Sequence, residues 1–193
     1  GPVLRGAVCL ASLGYAVPGA VLAVGVMVPF GWLDNTVDGW ARENLGVSTG
    51  LVLSGTMFAV LFAYVVRFLA VAFGAVEASL TKVTPHMDQV ARSLGAGPAA
   101  TLRRVHLPLI RGSMLTAALL VFVDAMKELP MTLMLRPFGF QSLATYVYQY
   151  AGDEQIERSA LAALAIVGAG ILPVIALNLA IARARPGQGE AAT

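Results

Sequence analysis

Apolar residues run along this chain in four long stretches, with polar residues gathered between them. The stretches cover about residues 9–30 (CLASLGYAVPGAVLAVGVMVPF), 49–80, 113–135 and 159–182. Each meets or approaches the roughly 20 apolar residues that a helix needs to cross bilayer hydrocarbon. The pattern predicts four transmembrane helices. Pro18 and Gly19 predict a kink in the first, and Pro173 lies inside the fourth. The second is long enough to project beyond the bilayer at one end.

The polar intervals differ from one another. Residues 31–50 hold Trp32 and Trp40 with Asp34, Asp38 and Glu43, and read as a loop whose tryptophans sit at the membrane interface. In residues 136–158, Leu143, Val147 and Tyr150 recur at helical spacing, which predicts a short amphipathic helix along the membrane surface. The central interval is built most tightly. Thr84 is placed to cap a helix and Pro85 fits its first position. Met87, Val90, Ala91 and Leu94 then share one face, and Asp88, Gln89, Arg92 and Ser93 take the other. Gly95 stands where a helix ends in a left-handed residue. Gly97-Pro98 restarts a helix that is expected to run to about His106, where Pro108 interrupts it. Two short helices meeting at a glycine turn are predicted, with Arg103 and Arg104 on the second.

Composition supports a membrane protein. The 193 residues are 58% hydrophobic and 12% charged, with a mean hydropathy of +0.76; soluble domains carry about 25% charged residues. The expected fold is an all-α polytopic bundle over residues 1–182, followed by a disordered tail at 183–193. The net charge of +2 matters less than its placement. Four spans put Arg5, Lys82, Arg92, Arg103, Arg104, Arg111, Arg183 and Arg185 on one side, and Arg42, Arg136 and Arg158 on the other. The positive-inside bias makes the first side, with the C-terminus and the central interval, cytoplasmic. Cys9 is the only cysteine, so neither a disulfide framework nor a cysteine metal site is available in this chain. No G-x-x-x-x-G-K-[ST] occurs, so a nucleotide is not held by a P-loop here. No cofactor, catalytic residue, metal site or nucleic-acid partner is expected; His86 and His106 read as loop residues.

Charges inside the spans form the second candidate site. Asp124, Lys127 and Glu128 lie at i, i+3 and i+4 on one face of the third stretch, and Arg67 lies within the second. Such groups face protein or water, because a charge at the bilayer centre costs about 2.5–3.5 kcal/mol on insertion scales. Asp124 with Lys127, and Glu128 with Arg67 across helices, are the expected pairs. Two readings stand: a structural ion-pair knot, or the lining of a path or gate. Pro130 adds a kink just beyond Glu128.

The central interval resembles the EAA loop of ABC importer permeases, whose signature is E-A-A, three residues, G, nine residues, I-x-L-P. The matching positions are Gln89-Val90-Ala91, Gly95 and Val105-His106-Leu107-Pro108, with both gaps kept; Gln89 and Val90 depart from the pattern. The resemblance implies that Gln89, Ala91, Gly95, Gly97, Arg103, Arg104, Leu107 and Pro108 belong to coupling helices that dock on a separate ABC ATPase subunit. The stretch FVDAMKELPMTLMLRPFGF is similar to the second half of bacterial ferric iron permeases. That likeness implies a bacterial inner membrane, a periplasmic substrate-binding protein, and a missing N-terminal permease half or second permease. It also implies ferric iron as the substrate. Importers of spermidine, thiamine, sulfate or molybdate share the coupling loop, and an ATP-independent transporter or channel is the alternative from another class. A complete half has about six spans, so four, with no initiator Met, lead us to expect a piece of a longer chain. Tyr146, Tyr148, Tyr150, Asp153, Glu154 and Glu157 fall on the outward side, as a hand-over point or as an interfacial run.

Overall fold

Pro18 divides the first apolar stretch. A short helical segment over residues 12–16 ends at Pro18, which stands at the N-cap of helix α1 (Gly19–Leu45) with φ −55° and ψ 138°. Pro29 lies inside α1 without ending it. The computed structural model describes residues 6, 12–81 and 83–183, and no strand occurs among them. Cys9 and the tail from 184 onward lie outside the described residues.

Helix α1 corrects the expected loop at 31–50, since it continues through both tryptophans to Leu45. The polar residues of this extension hold down the segment that follows. Asp34 accepts hydrogen bonds from the backbone N–H groups of Val52, Leu53 and Ser54. Asp38, one turn later, accepts from those of Thr49 and Gly50 and pairs with Arg42 at 2.7 Å. Only residues 46–56 are loop. Helix α2 (Met57–Leu80) returns through the bundle, and α3 (Pro85–Ser93) begins the central interval.

From Pro98 the chain is helical to Met126, through α4 (Pro98–Thr101), a π-helical turn (Leu102–His106) and α5 (Leu107–Met126). Pro108 therefore does not interrupt the helix. Its ring would meet the carbonyl of Arg104 in an α-helix, and widening the preceding turn to i→i+5 bonding makes room. The Leu107 N–H accordingly reaches the carbonyl of Leu102. The expected third span also differs: it breaks at residues 127–129 before a short α6 (Pro130–Leu135). Then come α7 (Leu143–Gly152), the predicted amphipathic helix, and α8 (Ile156–Arg183). Ser142 and Thr145 close a reciprocal capping box at the start of α7.

Four helical stretches among the described residues are long and apolar enough to cross a membrane: Gly19–Leu45, Met57–Leu80, Pro98–Met126 and Ile156–Ile175. Helix α2 packs along α5, α1 along α6, and α7 along α8. The core joins Leu22, Ala23 and Val26 of α1 to Ala59, Val60 and Ala63 of α2 and to Met131 and Leu135 of α6. Small residues allow this close approach, which is how helices associate in lipid. Gly14 is the extreme case, since a Cβ there would lie 2.2 Å from the Val66 carbonyl oxygen. Leu161, Leu164 and Leu172 of α8 are exposed.

Candidate functional site

The central interval is held rigid by its own backbone. Thr84 takes the N-cap position of α3, although its side chain makes no capping bond, and Pro85 opens the helix. At the other end Gly95 has φ +77°. Its N–H reaches Arg92 O at 2.9 Å, and the Ala96 N–H reaches Ala91 O at 2.9 Å. This is the paired closure of a Schellman motif, and its left-handed residue favours glycine. Gly97 has φ −72°, so its conformation does not demand glycine; it caps α4 ahead of Pro98.

A side-chain contact missed from the sequence fastens the two arms. His106 Nε2 lies 2.6 Å from Asp88 Oδ1, joining the π turn to α3. The eighteen-residue separation hides this pair, because the π turn rotates His106 off its α-helical register. With the frame satisfied internally, the apolar side chains remain outside it. Ala91 is buried, while Met87, Val90 and Leu94 are exposed, Leu94 at 81%. Together with His86 and Val105 they line a shallow groove of about 380 Å³. Gln89, Arg103, Arg104, Leu107 and Pro108 are also exposed.

The charged residues of the spans meet where two helices are broken. Arg67 lies ten residues from both Met57 and Glu77 in α2, about 15 Å from either at the helical rise. Its Nη1 donates to Val17 O at 3.0 Å, a carbonyl beside the Pro18 break. Its Nε lies 3.2 Å from Glu128 Oε2, an ion-pair contact that lacks the direction of a hydrogen bond. Glu128 Oε1 accepts from the Met131 N–H at 3.3 Å, at the start of α6. One Arg–Glu pair thus closes both breaks. A Cβ at Gly19 would come within 2.5 Å of Glu128 Oε1, so glycine is what admits the carboxylate.

Asp124 and Lys127 form the other pair, with Nζ 2.9 Å from Oδ1. Tyr15 links the pairs: its hydroxyl donates to Asp124 Oδ2 at 3.2 Å, and Arg67 Cζ lies 5.9 Å from its ring centroid. The sequence conceals Tyr15, which reads as one more aromatic in an apolar run. Tyr64 and Thr132, whose hydroxyls lie 2.6 Å apart, tie α2 to α6 beside the same break.

At the end of the bundle away from residues 85–106, Tyr146 and Tyr150 pack with centroids 4.4 Å apart, and Arg158 covers the Tyr150 ring. Tyr148, Asp153, Glu154 and Glu157 are exposed. Among the described residues no three His, Cys, Asp or Glu side chains converge as a metal-ligating set.

The family described as binding-protein-dependent transport system inner membrane component matches residues 5–185. The Fe(3+)-transport system permease protein FbpB 2 of Haemophilus influenzae is 32% identical over 123 residues, covering 64% of this chain and 24% of that protein. PhnV of Salmonella typhimurium, named as a 2-aminoethylphosphonate transport system permease protein, is 31% identical over 128 residues, covering 66% of this chain and 48% of that protein. The chain therefore spans about a quarter and about half of these relatives.

Proposed function

The chain belongs to the family of binding-protein-dependent transport system inner membrane components, and from that premise we propose that it is a membrane-spanning part of an ATP-driven importer. The segment 85–108 docks on a separate ABC ATPase at the cytoplasmic face, where the C-terminus also lies. A substrate-binding protein delivers cargo at the opposite face, and an N-terminal permease half or second permease completes the passage. Residues 1–182 are the transport unit and 183–193 its tail.

The observation that carries this reading is the coupling segment. Its turn is closed by backbone bonds at Gly95, its arms are joined by His106 and Asp88, and its apolar residues Met87, Val90 and Leu94 face outward. A rigid element with an uncovered apolar face transmits a rigid-body displacement, as a flexible loop does not. Discontinuous helices alone do not separate this mechanism from an ATP-independent one, since broken helices also occur in secondary transporters. The coupling segment favours the ATP-driven reading.

For the substrate we propose ferric iron, supported by the similarity to a permease named for Fe(3+) transport. The second reading is 2-aminoethylphosphonate, favoured by the similarity to PhnV at nearly the same identity. The test is ATP hydrolysis by the complete permease and its ATPase, reconstituted with a panel of loaded binding proteins. Stimulation by the ferric-loaded protein alone is expected. Stimulation by a phosphonate-loaded protein moves the substrate and keeps the class. No stimulation by any member, with no ATPase co-purifying, overturns the importer reading.

A further inference from the structure

The two ion pairs are neighbours but face different surroundings. The side chains of Arg67 and Glu128 are 18% and 9% exposed, whereas those of Asp124 and Lys127 are 22% and 64% exposed. Tyr15, which touches Arg67 and Asp124 together, sets the second pair beside Arg67, which lies near the centre of α2. A lysine at this depth normally extends its stem toward the headgroups. Lys127 does not, because its Nζ is held 2.9 Å from Asp124 Oδ1.

Exposure at that depth has three meanings: lipid, a dry protein partner, or water. Lipid is disfavoured by the insertion cost of each charge, about 2.5–3.5 kcal/mol. A dry partner would desolvate an ammonium that has one carboxylate contact and most of its surface still uncovered, a costly arrangement without further hydrogen bonds. Water leaves both charges solvated and the pair intact.

We infer that Tyr15, Asp124 and Lys127 line the wall of a water-filled translocation passage, whose facing wall is the other permease half. This rests on the importer reading given above. The wall carries paired charge: Arg67 and Lys127 offset Asp124 and Glu128, and both carboxylates are engaged. Such a surface keeps a passage wet without holding a cation tightly. The four charges accordingly divide between tasks. Arg67 and Glu128 are positioning residues that keep the broken helices in place, and Asp124 and Lys127 contact what passes.

The test is thiol accessibility in the complete permease with its ATPase, in proteoliposomes, after replacement of native cysteines including Cys9→Ser. Lys127→Cys and Asp124→Cys are treated with a charged, membrane-impermeant thiol reagent on both faces, with Leu164→Cys as the lipid-facing reference. Tyr15→Cys samples the same wall with the ion pair intact, and decides the matter if either charge variant fails to insert. Labelling at these positions is expected at least about tenfold faster than at residue 164, since the reactive thiolate forms in water and not in hydrocarbon. Labelling as slow as at residue 164 overturns the passage. The measurement needs neither ATP nor a binding protein. Slow labelling with stimulated hydrolysis removes this inference alone; fast labelling with no stimulation removes the importer reading and keeps a wet passage.

Discussion

The breaks at mid-depth and the break at Leu94–Gly97 solve the same problem in different solvents. At Pro18 and at residues 127–129 a helix stops inside the bundle, and the backbone groups released on its packed side are turned away from water. Arg67 and Glu128 reach across and satisfy them, at Val17 O and Met131 N. At Gly95 the helix stops at the surface, and the Schellman closure with one His–Asp contact is enough. Charged side chains are consumed at the first pair of breaks. At the second, the side chains are left free to meet a partner. Hydrocarbon makes an unsatisfied backbone group cost several kcal/mol, and water does not.

The largest test of this contrast is Glu128→Leu. It leaves Arg67 buried without its counter-charge, and a loss of about 3–5 kcal/mol is expected. Thermal unfolding of the complete permease in nanodiscs reads it, and an unchanged midpoint breaks the comparison. Replacing both members, Arg67→Met with Glu128→Met, is expected to recover only part, because Val17 O and Met131 N still lose their partners.

Gly14→Ala comes next. Its Cβ would meet backbone at Val66, which no rotamer change relieves, so about 1–3 kcal/mol is expected by the same measurement. Gly95→Val probes the other side of the contrast. No atom stands within 4 Å of a Cβ there, so its cost is backbone strain at φ +77°, about 1–3 kcal/mol and confined to the turn. Transport per ATP hydrolysed is expected to fall severalfold while insertion holds, beyond what the loss of stability accounts for. Unchanged transport per ATP would sink the docking role of this turn.

His106→Ala removes one side-chain contact, worth about 1 kcal/mol. A double-mutant cycle with Asp88→Ala, read on transport per ATP, is expected to be non-additive; simple additivity would show that the 2.6 Å contact does not act as a clamp. Lys127→Met should disturb stability least, by less than about 1 kcal/mol if the pair is solvated, while transport falls. A loss as large as that of Glu128→Leu would place Lys127 with the buried pair and erase the distinction between them.

Much of this was legible in the chain itself. Four apolar stretches, the kink at Pro18, the glycine turn at 95 and the amphipathic helix at 143–152 all follow from composition and local rules, because a helix in lipid satisfies its own backbone and each stretch declares itself. The expected pairs among Arg67, Asp124, Lys127 and Glu128 followed from sign and spacing, and the structure makes those contacts. Other features were not legible. The extension of α1 to Leu45 depends on loop N–H groups 11 to 20 residues away binding Asp34 and Asp38. The π turn before Pro108 depends on a ring and a carbonyl that meet only in three dimensions, and the His106–Asp88 contact depends on that turn.

What the sequence alone determined is which segments leave water, since transfer from water to hydrocarbon is a property of composition summed over some 20 residues. What only the tertiary structure decided is which charge is buried and which is exposed. Arg67, Asp124, Lys127 and Glu128 look alike in an apolar run; their burial depends on what the neighbouring helices place beside them. Gly14 lets the first segment press against α2, Gly19 admits the Glu128 carboxylate, and the break at 127–129 turns Glu128 inward while Lys127 stays outside.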